Sequence, residues 1–111
     1  MEIDVTQSSG VAVVTPRGDL DMATVEEVRR TLAGLIGGGQ SRVLMDLGGV
    51  GYMDSSGMGA LVAAMKQARA AGGDVRLCAL QDDVRGIFEL TRLARAIRIH
   101  ATRQEALASW R

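Results

Sequence analysis

Three consecutive polar residues near the middle of the chain, Asp54, Ser55 and Ser56, have types and spacing that could do chemistry. A nearly continuous apolar run and a glycine-rich loop precede them, and a helical pattern that begins at Gly57 follows them. A serine hydroxyl at such a strand–loop–helix junction could act as a nucleophile, cap the helix, or accept a phosphate group. Ser55 is the residue on which we expect the function of the chain to depend.

Enzyme chemistry at this serine finds little support. A serine nucleophile needs a base, and the one histidine, His100, lies at the end of the last predicted strand. The sequence around Ser55 also lacks the Gly-x-Ser-x-Gly motif. His100 and Cys78 have no metal-ligand spacing, and no lysine follows the glycines at Gly48 and Gly49 as a phosphate-binding loop requires. We therefore expect no catalytic residue, no metal site and no cofactor.

The simplest alternative is that Asp54 or Ser55 only caps a helix, because these residue types are the preferred N-caps. Gly57 and Gly59 argue against that alternative, since each costs up to about 1 kcal/mol in a helix relative to alanine. We expect these small residues to let the backbone of a partner come close. A phosphate on Ser55 would suit the free N–H groups of a helix N-terminus and would act by charge and bulk at the surface.

The composition fits one cytoplasmic domain spanning residues 1–111. Hydrophobic residues make up 47% of the chain, and the formal net charge is zero, which argues against nucleic acid or an anionic membrane as the main partner. The N-terminal half is acidic and the C-terminal half is basic. Asp19, Asp21 and Asp54 lie in the acidic half with the serines, so we expect a partner with a basic patch. The single cysteine excludes an internal disulfide, and the sequence shows neither a signal pattern nor a membrane-length apolar run.

The apolar periodicities predict the element order β-β-α-β-α-β-α-β-α. A hairpin followed by alternating strands and helices predicts an α/β fold with a mixed, mostly parallel five-stranded sheet and about four helices. The pairs Thr24/Glu27 and Thr102/Glu105 have the spacing of capping boxes at two helix starts. Asp82 is predicted to cap the third helix, and residues 96–99 are predicted to form the fifth strand.

Two motifs in this chain resemble those of a known family. Gly18-Asp-Leu-Asp21 is similar to its Gly-(Glu/Asp)-Leu-Asp motif, and the stretch from Asp46 to Gly59 is similar to its Asp-Leu-x-x-Val motif with Asp-Ser-(Ser/Thr)-Gly. Residues 84–93 resemble its third helix and the turn that follows. The chain is thereby identified as resembling a STAS domain, specifically a bacterial anti-anti-sigma factor, also called an anti-sigma factor antagonist.

The resemblance implies a switch controlled by phosphorylation. An anti-sigma factor that is also a serine kinase would phosphorylate Ser55, using ATP and Mg²⁺ that belong to the kinase. The unphosphorylated protein, a monomer when free, would bind the anti-sigma factor and release the sigma factor, and a serine phosphatase would reset the switch. The expected partner-binding residues are Asp19, Asp21, Asp54, Ser56, Gly57, Met58 and Gly59.

Two other readings stay open. A STAS domain can serve as a scaffold or subunit of a signalling or lipid-transport complex, or as a module that binds a small ligand or nucleotide. The chain departs from the family pattern at Met58, where leucine is usual, and at Gly48 and Gly49, which we expect to loosen the loop.

Overall fold

The computed structural model describes residues 1–110, apart from the side chains of Leu93 and Ala94. The last residue of the expected domain, Arg111, and the side chain of Leu93 in the family-like stretch lie outside the described residues. The strands are β1 (Glu2–Ser8), β2 (Val11–Arg17), β3 (Arg42–Asp46), β4 (Asp74–Cys78) and β5 (Ile99–His100). The helices are α1 (Val25–Gly37), α2 (Ser55–Ala70), α3 (Asp82–Glu89) and α4 (Arg103–Ala108), with a 3₁₀ helix at Leu93–Ala96.

The strands form one sheet in the order of the sequence, β1-β2-β3-β4-β5. The first pair is antiparallel and the other three pairs are parallel. Ser9 and Gly10 form the hairpin turn with φ angles of 52° and 81°, the two left-handed residues that a type I′ turn requires. The predicted fold class, a mixed and mostly parallel five-stranded sheet with a hairpin and four helices, is confirmed.

The larger core lies between one face of the sheet and helices α1, α2 and α3. Sheet residues such as Val14, Met45 and Leu77 are fully buried there. Each of these helices contributes apolar side chains to this core, for example Val28 of α1, Leu61 of α2 and Phe88 of α3. The buried members of the core are Ala12, Val14, Leu20, Val25, Val28, Leu32, Val43, Met45, Leu47, Val50, Met53, Ala60, Leu61, Val62, Ala64, Met65, Ala68, Val75, Leu77, Leu80, Val84, Phe88 and Ile97.

A smaller core on the opposite face packs under α4, with Val11, Val13, Leu44, Cys78 and Ala106. Polar contacts fasten α4 at both ends. At its start, Arg103 Nη2 lies 2.9 Å from Asp46 Oδ2 and 3.1 Å from Thr15 Oγ1. At its end, Arg76 donates to Ser109 Oγ at 2.6 Å, lies 4.2 Å over the ring of Trp110, and is held by Asp74 at 2.9 Å.

Three local predictions differ from the structure. The fifth strand is Ile99–His100, and the 3₁₀ helix occupies the start of the predicted strand at 96–99. Thr24 is the N-cap of α1 by position, but its side chain makes no capping bond, because its hydroxyl instead donates to Asp19 O at 2.7 Å and accepts from Asp21 N at 3.1 Å. Asp82 is the first residue of α3, and the N-cap is Gln81.

At α4 the predicted cap is present. Thr102 Oγ1 accepts a hydrogen bond from Glu105 N at 3.1 Å, as the capping pattern requires.

Candidate functional site

The candidate site is built where the loop after β3 turns into α2. Asp54 is the N-cap, with an extended backbone (φ −99°, ψ −176°), and its Oδ1 accepts a hydrogen bond from Gly57 N at 3.1 Å. Ser55 is therefore the first helical residue and Ser56 the second. The capping role belongs to Asp54 alone, which leaves the Ser55 hydroxyl available for another purpose.

The two serines differ in exposure. Ser55 is exposed, whereas Ser56 is half-buried. Within residues 1–110 neither hydroxyl takes part in a hydrogen bond. A hydroxyl that is exposed, unengaged and placed at the N-terminus of a 16-residue helix can accept a group from a partner without any loss of internal bonding.

The segment from Gly18 to Asp21 lies against the loop that leads to Ser55. Three backbone hydrogen bonds join them: Gly18 N to Gly49 O at 3.0 Å, Leu20 N to Tyr52 O at 2.9 Å, and Asp54 N to Leu20 O at 3.2 Å. Leu20 and Met53 also form an isolated parallel bridge. The structure thus brings the two family-like motifs together through bonds between residues that lie more than thirty positions apart in the sequence.

The three acidic residues at the site differ in their exposure and in their hydrogen bonding. Asp19 is exposed, and its side chain makes no hydrogen bond or ion pair among the described residues. Asp21 is half-buried, and its Oδ1 accepts from Ala23 N at 2.9 Å. Asp54 is half-buried and engaged as the cap. All three belong to the segments that meet at the start of α2, and Asp19 presents the freest carboxylate to a partner.

The two glycines of the first helical turns have different explanations. A Cβ atom on Gly57 would lie 2.8 Å from both Leu20 Cγ and Leu20 O and 2.9 Å from Met53 Cγ. Gly57 is buried, and Leu20 and Met53 occupy the space beside it. The expectation that Gly57 leaves room for the backbone of a partner was therefore wrong. Gly59 is exposed and has nothing within 4 Å of a Cβ position, so it leaves open surface.

The glycines before the serine also pack against the protein. Gly48 N donates to Asp46 Oδ1 at 3.0 Å, and Gly48 O accepts from Gln81 Nε2 at 3.0 Å. A Cβ atom on Gly49 would lie 3.3 Å from Pro16 O. The loop is therefore held at several points, and the expectation that Gly48 and Gly49 loosen it was wrong.

Several apolar side chains near this site are exposed, which the sequence patterns did not predict. Tyr52 is 52% exposed and directly follows the glycine loop, and Met22, 79% exposed, follows Asp21. Leu90, 85% exposed, ends α3 beside Thr91, whose hydroxyl lies 3.6 Å from the sulfur of half-buried Met58. Their hydrophobic type predicted burial, so only the structure reveals them at the surface.

The residues considered for enzyme chemistry lie elsewhere. Cys78 is buried in the smaller core, and its strand partner is His100, so both are on the α4 side of the sheet. Burial, and then the nearby carboxylate of Asp46, raise the pKa of the Cys78 thiol to about 12. In residues 1–110, no cluster of three or more His, Cys, Asp or Glu side chains could hold a metal ion. None of the described helices combines the length and the apolar character needed to cross a membrane.

The model of the STAS domain family matches residues 2–106. The chain belongs to the STAS domain family. Bordetella bronchiseptica BtrV, which carries the provisional name of an anti-sigma factor antagonist, is 27% identical to this STAS domain over 111 residues, covering 100% of this chain and 96% of BtrV. The anti-sigma-B factor antagonist of Staphylococcus aureus strain NCTC 8325 is 28% identical over 93 residues, covering 84% of this chain and 86% of its own.

A solved structure shows the same fold. The Bacillus cell fate determinant SpoIIAA, in its phosphorylated form, superposes on this STAS domain with a TM-score of 0.75 and 24% identity. The match covers 99% of this chain and 100% of SpoIIAA.

Proposed function

We propose that this STAS domain is an anti-sigma factor antagonist that is switched by phosphorylation of Ser55. The observation that carries the proposal is the exposed, unengaged hydroxyl of Ser55 at the start of α2, beside the segment that holds Asp19 and Asp21. The names of the relatives from Bordetella and Staphylococcus support the antagonist role. The domain acts in the cytoplasm as a substrate and a binding partner, and the catalytic groups belong to the kinase.

Exposure selects Ser55 over Ser56. A kinase must bring the γ-phosphate of ATP in line with the attacking hydroxyl, and it supplies the Mg²⁺ and the base itself. The exposed Ser55 admits that approach, whereas Ser56 is half-buried. A phosphate on Ser55 adds about 1.5 to 2 negative charges at a helix N-terminus. The fold tolerates them there, so the switch acts on binding and not on folding.

The binding surface combines charge with apolar contact. Asp19 supplies a free carboxylate, and Tyr52, Met22 and Leu90 supply exposed apolar area. Such a surface fits a partner that carries a basic patch around a hydrophobic depression. A phosphate at Ser55 adds bulk and excess negative charge to the surface that such a partner would cover, and binding is lost. A serine phosphatase restores it.

The strand order argues against the reading as a nucleotide-binding module. Doubly wound sheets bind nucleotides in the crevice where the strand order reverses. In residues 1–110 the order runs from β1 to β5 without a reversal. The fold therefore lacks that crevice, which supports the proposal of a protein-binding surface over a nucleotide site.

The test uses the purified domain with its anti-sigma factor, ATP and Mg²⁺. Intact-mass measurement and peptide mapping should find one phosphate, on Ser55, and none in Ser55→Ala. Ser56→Ala is the matched control, and it should be phosphorylated at close to the wild-type extent. A phosphate on another residue, or undiminished labelling of Ser55→Ala, would refute the assignment.

Binding provides the second measurement. Calorimetry should show that Ser55→Ala binds the anti-sigma factor and that Ser55→Asp binds it at least tenfold more weakly. If Ser55→Asp bound as tightly as the wild type, charge at this position would not be the switch. A stable complex of several copies that forms without the anti-sigma factor would favour the scaffold reading, which sizing chromatography detects.

A further inference from the structure

A second surface feature lies at the opposite edge of the sheet from the hairpin, between α3 and β5. It is a groove of about 400 Å³ with a mixed apolar and charged lining. Its floor contains Phe88 and Ile97, which are buried, and Ile99, which is 37% exposed. Its charged lining residues are Arg85, Glu89 and Arg95.

The groove borders a free sheet edge. β5 is the last strand in the order, and among residues 1–110 its one strand neighbour is β4. Side chains of β5 alternate between the two faces: Ile99 pairs with Leu77 of the larger core, and His100 pairs with Cys78 of the smaller one. An extended segment laid beside β5 could use the free backbone groups of this edge and turn alternate side chains toward the groove.

The charge around this edge is mostly positive, although Glu89 lines the groove beside Arg85 and Arg95. Residues 90–104 contain four arginines and no acidic residue. Arg92, Arg95 and Arg98 are exposed, and within the described residues none of them forms an ion pair. Arg85 has only a distant acidic neighbour, with 3.9 Å between its Nη1 and Asp82 Oδ1. The edge therefore offers several unneutralised guanidinium groups to an anionic ligand.

We propose that this groove binds an extended, acidic segment of a partner protein. The segment adds a strand beside β5 and seats an apolar side chain over Phe88, Ile97 and Ile99. Its carboxylates pair with Arg95 and Arg98. The observations that select this ligand are the free edge, the apolar floor and the unpaired arginines, and none of them involves Ser55.

The experiment titrates the ¹⁵N-labelled domain with an acetylated hexapeptide of alternating aspartate and leucine and follows the amide spectrum. Saturable shifts should concentrate at residues 85–100 and weaken in 0.5 M salt, because exposed ion pairs are screened. The matched hexapeptide with lysine in place of aspartate should produce no such shifts. No saturable shifts with the acidic peptide, equal shifts with the basic one, or shifts confined to the start of α2 would overturn the proposal.

Variants test the residues directly. The double variant Arg95→Glu with Arg98→Glu should bind the acidic peptide about tenfold more weakly, since two exposed ion pairs are replaced by repulsion. The double variant Arg29→Glu with Arg30→Glu reverses two exposed arginines on α1 and should leave the affinity unchanged. Equal loss in both would mean that the peptide senses net charge alone and would refute the site.

Two further arms separate this proposal from its alternatives. Ser55→Asp should bind the peptide as the wild type does, whatever its effect on the anti-sigma factor. Sedimentation of the peptide-free protein should show monomers over the titration range. Self-association that broadens the amide signals of residues 85–100 would mean that a second copy occupies the groove, and would overturn the proposal of a separate acidic partner.

Discussion

The contrast between Gly57 and Gly59 makes a sharp prediction about why the first turns of α2 contain glycine. In Gly57→Ala the new methyl group would meet the backbone oxygen of Leu20 at 2.8 Å and the Met53 side chain at 2.9 Å. A backbone oxygen cannot rotate away as a side chain can. The segment that carries Leu20 must therefore move, and with it the contact to the loop before Ser55.

The expected magnitude comes from two opposing effects. Overpacking a well-packed core costs about 1–3 kcal/mol, whereas alanine is favoured over glycine in a helix by about 1 kcal/mol. Gly57→Ala should therefore lower the free energy of unfolding by up to about 2 kcal/mol. Gly59→Ala meets open space and should raise it by about 0.5–1 kcal/mol, which makes it the matched control.

Urea denaturation of the two variants and the wild type measures the difference. In thermal unfolding the same difference should appear as a shift of about 4 °C per kcal/mol. The Leu20 amide should also exchange hydrogen faster in Gly57→Ala, because the substitution would strain the hydrogen bond from Leu20 N to Tyr52 O. If Gly57→Ala were as stable as Gly59→Ala, the reasoning that Gly57 is required by internal packing would be refuted.

Two further predictions concern single side chains. Asp54→Ala should lower the free energy of unfolding by about 1 kcal/mol in urea denaturation, because Gly57 N–H loses its acceptor. Asp54→Asn should retain most of this stability, and equal losses in both variants would show that the charge matters and not the cap. Because burial and then Asp46 raise the pKa of Cys78 to about 12, Ellman's reagent should label the thiol at pH 8 only in unfolded protein. The contribution of this thiol to stability should be complete below its ordinary pKa of 9.0 and decline as pH rises toward 12. Rapid labelling of the folded protein at pH 8 would contradict both the burial and the raised pKa.

The sequence predicts the elements well where one periodicity dominates a stretch. The apolar stripes of α1 and α2 and the continuous run of β3 are found in the structure at nearly the expected positions. The same capping pattern gives different results at two sites: Thr102 caps its helix, whereas the Thr24 hydroxyl bonds to the loop at Asp19 and Asp21. A hydroxyl can hydrogen-bond to any of several nearby backbone groups, and tertiary packing determines which of these bonds forms.

The candidate site shows the same limit. Sequence spacing predicts a helix start with an exposed serine, and the structure has Ser55 there. The sequence does not reveal that Leu20 fills the space beside Gly57, because the two residues lie more than thirty positions apart in the chain. It also gives no sign that Tyr52 and Leu90 are exposed, since an apolar residue in sequence predicts burial. Whether the predicted partner-binding residues contact an anti-sigma factor remains a prediction for the binding experiments.

The strand order has a consequence for how the chain is made. Because every strand pairs with the one immediately before it, a chain emerging from the ribosome can extend the sheet one strand at a time. The hydrogen bonds between the segment that carries Asp19 and the loop before Ser55 involve only residues 18–54, so they require none of the C-terminal part of the chain. Helix α4, which covers the second face, arrives last. Until then Val11, Val13, Leu44 and Cys78 stay uncovered, so the nascent chain exposes an apolar sheet face that a chaperone could bind.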